Sequence, residues 1–189
     1  MLYAPRATMP AILADDRRGA MWAILIVWSL LEALLDHAGK FASHGVAAMF
    51  GVALLVGFLI VLRQLVFCWL LGVALRVLRT RRVDFDRLLA AVAWGGGPPM
   101  IVFMLLALLA LLAARGDVTI FEKADDLRHA IPLVSAGLLV LAGYVWSVAG
   151  TVNAVSVAAD VRRRRVVAAL ALLLVLAVLL VGAVFLLLR

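Results

Sequence analysis

Ser29, Glu32 and Asp36 stand at i, i+3 and i+7, a spacing that puts all three on one face of a helix. The run that carries them is strongly apolar. A carboxylate in such a run is costly unless it is paired, protonated or part of a conduction path, so it marks a site by default. Arg63 interrupts a second apolar run and supplies the opposite charge. Two readings follow. In the plainer one, Glu32 and Arg63 form an ion pair that fixes helix packing. In the sharper one, a proton or an ion passes through a polar network of Glu32, Asp36, Arg63 and Asn153. Packing is the favoured reading, because polar side chains commonly join membrane helices.

Other residues carry weaker chemistry. Gly95, Gly96, Gly97, Pro98 and Pro99 form a run that a regular helix accommodates only at a cost. It is expected to break the helix, either as a plain kink or as half-helix ends of the kind that hold substrates in transporters. His37, His44 and His129 fall on one side of the chain's expected topology, near Asp36, Asp125 and Asp126. No two of these histidines have tight ligand spacing, so no metal site is assigned. Cys68 is the only cysteine, which excludes an intrachain disulfide, and it reads as a small packed hydrophobe. Arg162, Arg163, Arg164 and Arg165 form a basic run beside the last apolar stretch, suited to anionic lipid head groups. Nothing resembles a nucleophile elbow, a P-loop or a dinucleotide fingerprint, so neither catalytic residues nor a cofactor are expected.

The elements that must position these residues follow from composition. Of 189 residues, 67% are apolar and only 15% are charged. Mean hydropathy is +1.18. So much apolar surface cannot be hidden inside one small water-soluble domain, so lipid must be part of the solvent. The net charge is +7, yet the basic residues sit at the ends of apolar runs and form no face interleaved with aromatics. They therefore set topology, and nucleic acid is not an expected partner. The Ala, Leu, Val and Arg bias points to a GC-rich bacterial genome.

A spanning helix needs about 20 mostly apolar residues. The expected fold is an all-α polytopic bundle in one domain, with about five spans near residues 19–37, 57–78, 98–113, 131–157 and 166–188. Residues 44–79 contain no turn signal, and as one helix they would reach about 54 Å, too long for a single span. Residues 46–56 are therefore expected to lie at the interface or dip into one leaflet. Asp84 is placed to cap a short helix from Phe85, ahead of the break at residues 95–99. The first apolar run is preceded by polar residues and followed by no cleavage site, so it reads as a retained anchor.

Charge sets the orientation. With five spans and a cytoplasmic N-terminus, Arg6, Arg17, Arg18, Arg79, Arg81, Arg82, Arg87 and Arg162 to Arg165 lie inside. Lys40, Arg115, Lys123, Arg128 and Arg189 lie outside. That bias obeys the positive-inside rule. It places the chain in a bacterial inner membrane with its C-terminus outside.

Three segments, in order, resemble the Yip1 domain family. The first is Pro5, Arg6, Ala7 and Thr8 with Ile12 and Leu13, similar to the family's approach to its first span. The second runs from Leu78 through Thr80 and Asp84 to Phe85, then residues 91–99, and resembles the turn after span two with a proline in the next helix. The third leads from Trp146 through Asn153 to Arg162 and Arg165, resembling a Trp-bearing fourth span that turns into the last helix. The resemblance implies five spans, a cytoplasmic N-terminus and no catalytic residues. Eukaryotic members act in vesicle traffic with small GTPases, partners that a bacterial member would lack. The expected role is a membrane scaffold that binds lipid, itself or other membrane proteins. A small transporter or ion-translocating channel subunit is the alternative.

Overall fold

A long apolar run in lipid finds no water for its backbone, so it closes its own hydrogen-bond ladder as a helix. The computed structural model describes residues 10–12, 18–37, 46–78, 83–113 and 127–187. Among these are five long helices and no strand: α1 Arg18–His37, α2 Val46–Val77, α3 Phe85–Ala113, α4 Leu127–Ala158 and α5 Arg163–Leu187. Each contains a stretch long and apolar enough to cross a bilayer. The fold is thus an all-α membrane helical bundle. The segment at residues 5–8, with Leu13, and the Arg79 to Arg82 turn lie outside the described residues, as does His44.

Two expected irregularities are absent. Residues 46–56 are not a separate interfacial segment: α2 runs unbroken over 32 residues. No turn residue stops it, and a break in lipid would strand several backbone groups without partners. The apolar stretch within it, Gly51–Val77, has 27 residues, a length that tilting accommodates.

The break at residues 95–99 is also absent. Helix α3 continues from Phe85 to Ala113 with Pro98 and Pro99 inside it. Those prolines deprive the carbonyls of Trp94 and Gly95 of their usual N–H partners. The neighbouring helix makes this tolerable. The Gly95 carbonyl oxygen lies against the Cα of Gly150 on α4, so close that a methyl group on Gly150 would overlap it. In return, a Cβ on Gly95 would sit 2.8 Å from the Gly150 oxygen. Such an approach allows Cα–H···O contacts that partly replace the lost bond. Gly96 faces Ser147 and Thr151, each hydroxyl 2.8 Å from where its Cβ would be. Gly97 faces Ile24 and Trp28 on α1. The three glycines let helices pack on both sides of α3.

Helix α3 is consequently the most buried span. Leu88, Leu89, Val92, Met100 and Met104 face a core shared with Leu25 of α1, Leu71 and Leu75 of α2, Val155 of α4 and Val166 of α5. Helix α2 contributes a stripe at residues 53, 57, 60, 64, 68, 71 and 75, the spacing of one helical face. Cys68 is fully buried in it. Two contacts mark helix starts. The Asp84 carbonyl accepts the first bond of α3, from the Leu88 N–H at 3.1 Å, which makes Asp84 its N-cap position. Arg18 and Asp86 pair at 3.7 Å on the surface, so α1 and α3 begin on the same side. Helices α4 and α5 start at Leu127 and Arg163, slightly earlier than expected.

Beyond Val166 and Ala169, α5 contributes little to the core: from Leu174 to Leu186 its large side chains are exposed. Replacement of Gly150 by Ala is expected to push α3 from α4 and lower stability by about 1–3 kcal/mol. Gly137→Ala, on the same helix with open space around it, should instead add about 0.5–1 kcal/mol. Unfolding in mixed micelles measures both, and equal behaviour of the two variants would refute the backbone contact as the constraint.

Candidate functional site

Helix α1 buries Met21, Leu25, Trp28 and Glu32 along one face, at spacings of four, three and four residues. A leucine at the fourth position would simply extend the core. Glu32 stands there instead, with its side chain only 7% exposed. Arg63 of α2 donates from one nitrogen, Nη2, to both carboxylate oxygens, at 2.8 Å to Oε1 and 3.0 Å to Oε2. Tyr144 of α4 donates from its hydroxyl to Oε1 at a longer 3.5 Å. Three helices therefore converge on one carboxylate.

The pair is asymmetric. Arg63 has 56% of its side chain exposed while Glu32 is enclosed. Both partners stand about 20 Å along their helices from the arginines at the Arg-rich ends, Arg76 on α2 and Arg18 on α1, at 1.5 Å per residue. The long arginine side chain can carry its outer end toward an interface from such a position. Removing the carboxylate's partner would leave a buried charge without compensation, the costly case for such pairs.

Of the four residues expected to form a polar network, the structure brings Glu32 and Arg63 together. Asn153 is not at this site. It lies nine residues beyond Tyr144 on α4, about 14 Å further along the axis, and its backbone carbonyl accepts a hydrogen bond from Ser156 at 2.7 Å. Asp36 follows on α1, but its side chain lies outside the described part, as do those of His37 and His129. Among the described residues, no group of three or more metal-ligating side chains forms.

Sequence reasoning missed Ser147 and Thr151, which complete the inner face of α4, and the hydrogen bond from exposed Tyr144 to Glu32. Their signal was present as small residues at Gly143, Ser147, Gly150 and Ala154, a spacing that lets membrane helices approach closely. Gly143 meets Phe103 and Met100 of α3, as Gly150 meets Gly95. Trp28 is buried against Gly96 and Gly97. Its Nε1 and the Oγ of neighbouring Ser29 are buried without a hydrogen-bond partner among the described residues.

With this geometry in place, comparison with known proteins is decisive on one point. The Yip1 domain matches residues 1–186. The chain belongs to the Yip1 domain family. No curated protein matches it, and no solved structure does. The five apolar helices make it a multi-pass membrane protein of the Yip1 type. In this Yip1 domain the most buried charge is tied to a partner on the next helix, and the glycine–proline run belongs to the core.

The energetic role of the pair is separable by a double-mutant cycle. Arg63→Leu alone strands Glu32 and should cost about 3 kcal/mol, the lower end of the range for a broken buried pair because Arg63 is half exposed. The double variant Glu32→Leu/Arg63→Leu should recover to within about 1 kcal/mol of the original protein. Denaturation in mixed micelles provides the measurement. A double variant as unstable as the single one would show that pairing is not what Arg63 supplies.

Proposed function

We propose that this Yip1 domain protein is a non-enzymatic scaffold of the bacterial inner membrane, acting through contacts with lipid and with itself or other membrane proteins. One observation carries the reading. The buried carboxylate is taken up by Arg63 within the bundle, while the outer faces of α2 and α4 and most of α5 are left uncovered. Polar chemistry points inward and holds helices together. Apolar surface points outward and is available to lipid and partner helices.

The orientation puts the start of α1, the α2–α3 turn and the α4–α5 turn in the cytoplasm. The excess of arginines at those ends supports it. In that orientation Arg162 to Arg165 lie among anionic head groups of the inner leaflet, and the C-terminus is outside.

One specific feature favours the second reading, a small transporter or channel subunit. The unpartnered Trp28 Nε1 and Ser29 Oγ sit beside the Glu32 face of α1. A translocation path needs such groups to bind a passing ion or water. Flux in reconstituted vesicles separates the two. The scaffold reading expects proton and cation leak no greater than in empty vesicles, and flux abolished by Glu32→Gln in a folded protein would replace it. For orientation, Cys68→Ala provides a background for single cysteines at Arg162 and Arg189. An impermeant maleimide should label Arg189→Cys in intact cells and Arg162→Cys only after lysis. The opposite pattern would invert the topology.

A further inference from the structure

The α4–α5 turn carries a carboxylate, Asp160, directly ahead of its arginines. Helix α4 ends in paired capping bonds: the Val161 N–H donates to the Ser156 oxygen at 3.0 Å and the Asp160 N–H to the Val157 oxygen at 3.3 Å. Asp160 adopts φ 50°, a left-handed conformation. This is the Schellman arrangement, with aspartate where glycine is usual. It sets the position of the Asp160 backbone. One residue after Val161, Arg162 begins the next helix, its carbonyl accepting from the Arg165 N–H at 2.9 Å.

Between these two ends lies an open groove of about 640 Å³, lined by half-buried Val161 and by exposed Asp160, Arg162, Arg164 and Arg165. That is many times the roughly 30 Å³ share of one water molecule, so it has room for a head group. Three arginines line it beside one aspartate. Among the described residues, Asp160 forms no ion pair with any of them. The first turn of α5 carries no acidic residue, so its arginines face the positive end of the helix dipole without compensation. The groove therefore offers both signs of charge, each unmatched, at adjacent positions.

Depth identifies the source of a ligand. The uncharged run of α5 begins at Val166, directly after Arg165, and Val166 is fully buried. Further along, α5 is uncovered by protein from Leu174 onward. The groove thus opens where a spanning helix leaves the hydrocarbon, at head-group level.

We infer that the α4–α5 turn binds one phospholipid whose head group is a phosphate bearing a primary ammonium. The phosphate lies against Arg162, Arg164 and Arg165, and the ammonium against Asp160. Arginine suits phosphate because its planar donors match two oxygens at once. A head group with phosphate alone would compete with Asp160 for the arginines and offer its carboxylate no N–H donor of its own. A quaternary ammonium lacks the N–H donors that a carboxylate accepts. The inference rests on the proposal that Arg162 to Arg165 meet lipid head groups, and it replaces general attraction by a defined site.

The test uses the full chain, delipidated in detergent and titrated with dioleoyl phosphatidylethanolamine, phosphatidylglycerol or phosphatidylcholine, with bound lipid counted by native mass spectrometry. One ethanolamine lipid should bind about fivefold more tightly than either of the others, the scale of one partly exposed ion pair. Asp160→Asn should erase that preference while leaving the turn intact, since asparagine also takes the left-handed conformation. Arg164→Gln/Arg165→Gln should weaken all three lipids, and glutamine keeps the helix propensity. Soluble phosphoethanolamine should not compete at concentrations that saturate the lipid, and effective competition would overturn the lipid as the ligand. If the glycerol lipid binds as tightly as the ethanolamine lipid, and the arginine variant weakens both, the ammonium reading fails and the head-group reading stands. If the arginine variant changes nothing, both fail. The measurement is made in detergent, so it is independent of the orientation assigned above.

Discussion

Contact between the backbones of Gly95 and Gly150 is the constraint on which the rest of the bundle depends. It brings α3 and α4 together at a distance that no side chain permits. That distance puts the Ser147 and Thr151 hydroxyls against Gly96 and leaves α1 room to lay Ile24 and Trp28 over Gly97. It also shelters the Gly95 carbonyl that Pro99 deprives of its hydrogen bond. In lipid there is no hydrophobic force between helices, so close packing of this kind must supply much of the association energy. Helix α3 becomes the centre because both of its faces are thin where the glycines lie.

The Glu32–Arg63 pair is a second device, with a different role. The glycine contact fixes α3 against α4, but it says nothing of where α2 stands. A carboxylate in the core can be satisfied only where donors reach it, so α2 must present Arg63 and α4 must present Tyr144 at the level of Glu32. The pair therefore specifies how α1, α2 and α4 align, whatever it adds to net stability. The exposed outer part of Arg63 shows that the charge is not fully enclosed. It leaves donors on the surface of the bundle, where lipid or a partner helix is the next layer.

Helix α5 follows neither rule. Its N-terminal turns join the core through Val166 and Ala169, and the remainder stands in what the bilayer would fill. A helix anchored at one end in this way takes its position from the α4–α5 turn. That turn is set by the Asp160 conformation and two backbone bonds. The charged groove and the anchoring of α5 are thus consequences of the same few residues. This gives a Yip1 domain a means of joining surface chemistry to the placement of a membrane helix.

Much of this was legible in the residues alone. Apolar runs of sufficient length determined five membrane helices, because backbone groups in lipid have no partners outside the helix. The charges at their ends and the acids Glu32 and Asp36 of α1 indicated which faces and ends were special, and Arg63 as the counter-charge to Glu32 followed from the cost of an isolated ion. The family, too, was visible in the order of its punctuating residues. What only the tertiary structure decided was the meaning of the irregular segments. Gly95 to Pro99 read as a break because propensity scores a helix in isolation, whereas a neighbouring helix can replace what proline removes. Residues 46–56 read as a separate segment because length was judged against bilayer thickness, while backbone satisfaction favours one unbroken helix. Asn153 seemed to belong with Glu32 by polarity, and position along α4 separates them. Sequence determines which groups must find partners in lipid, and three-dimensional packing decides which partners they find, because those partners are brought close by contacts distant in the chain.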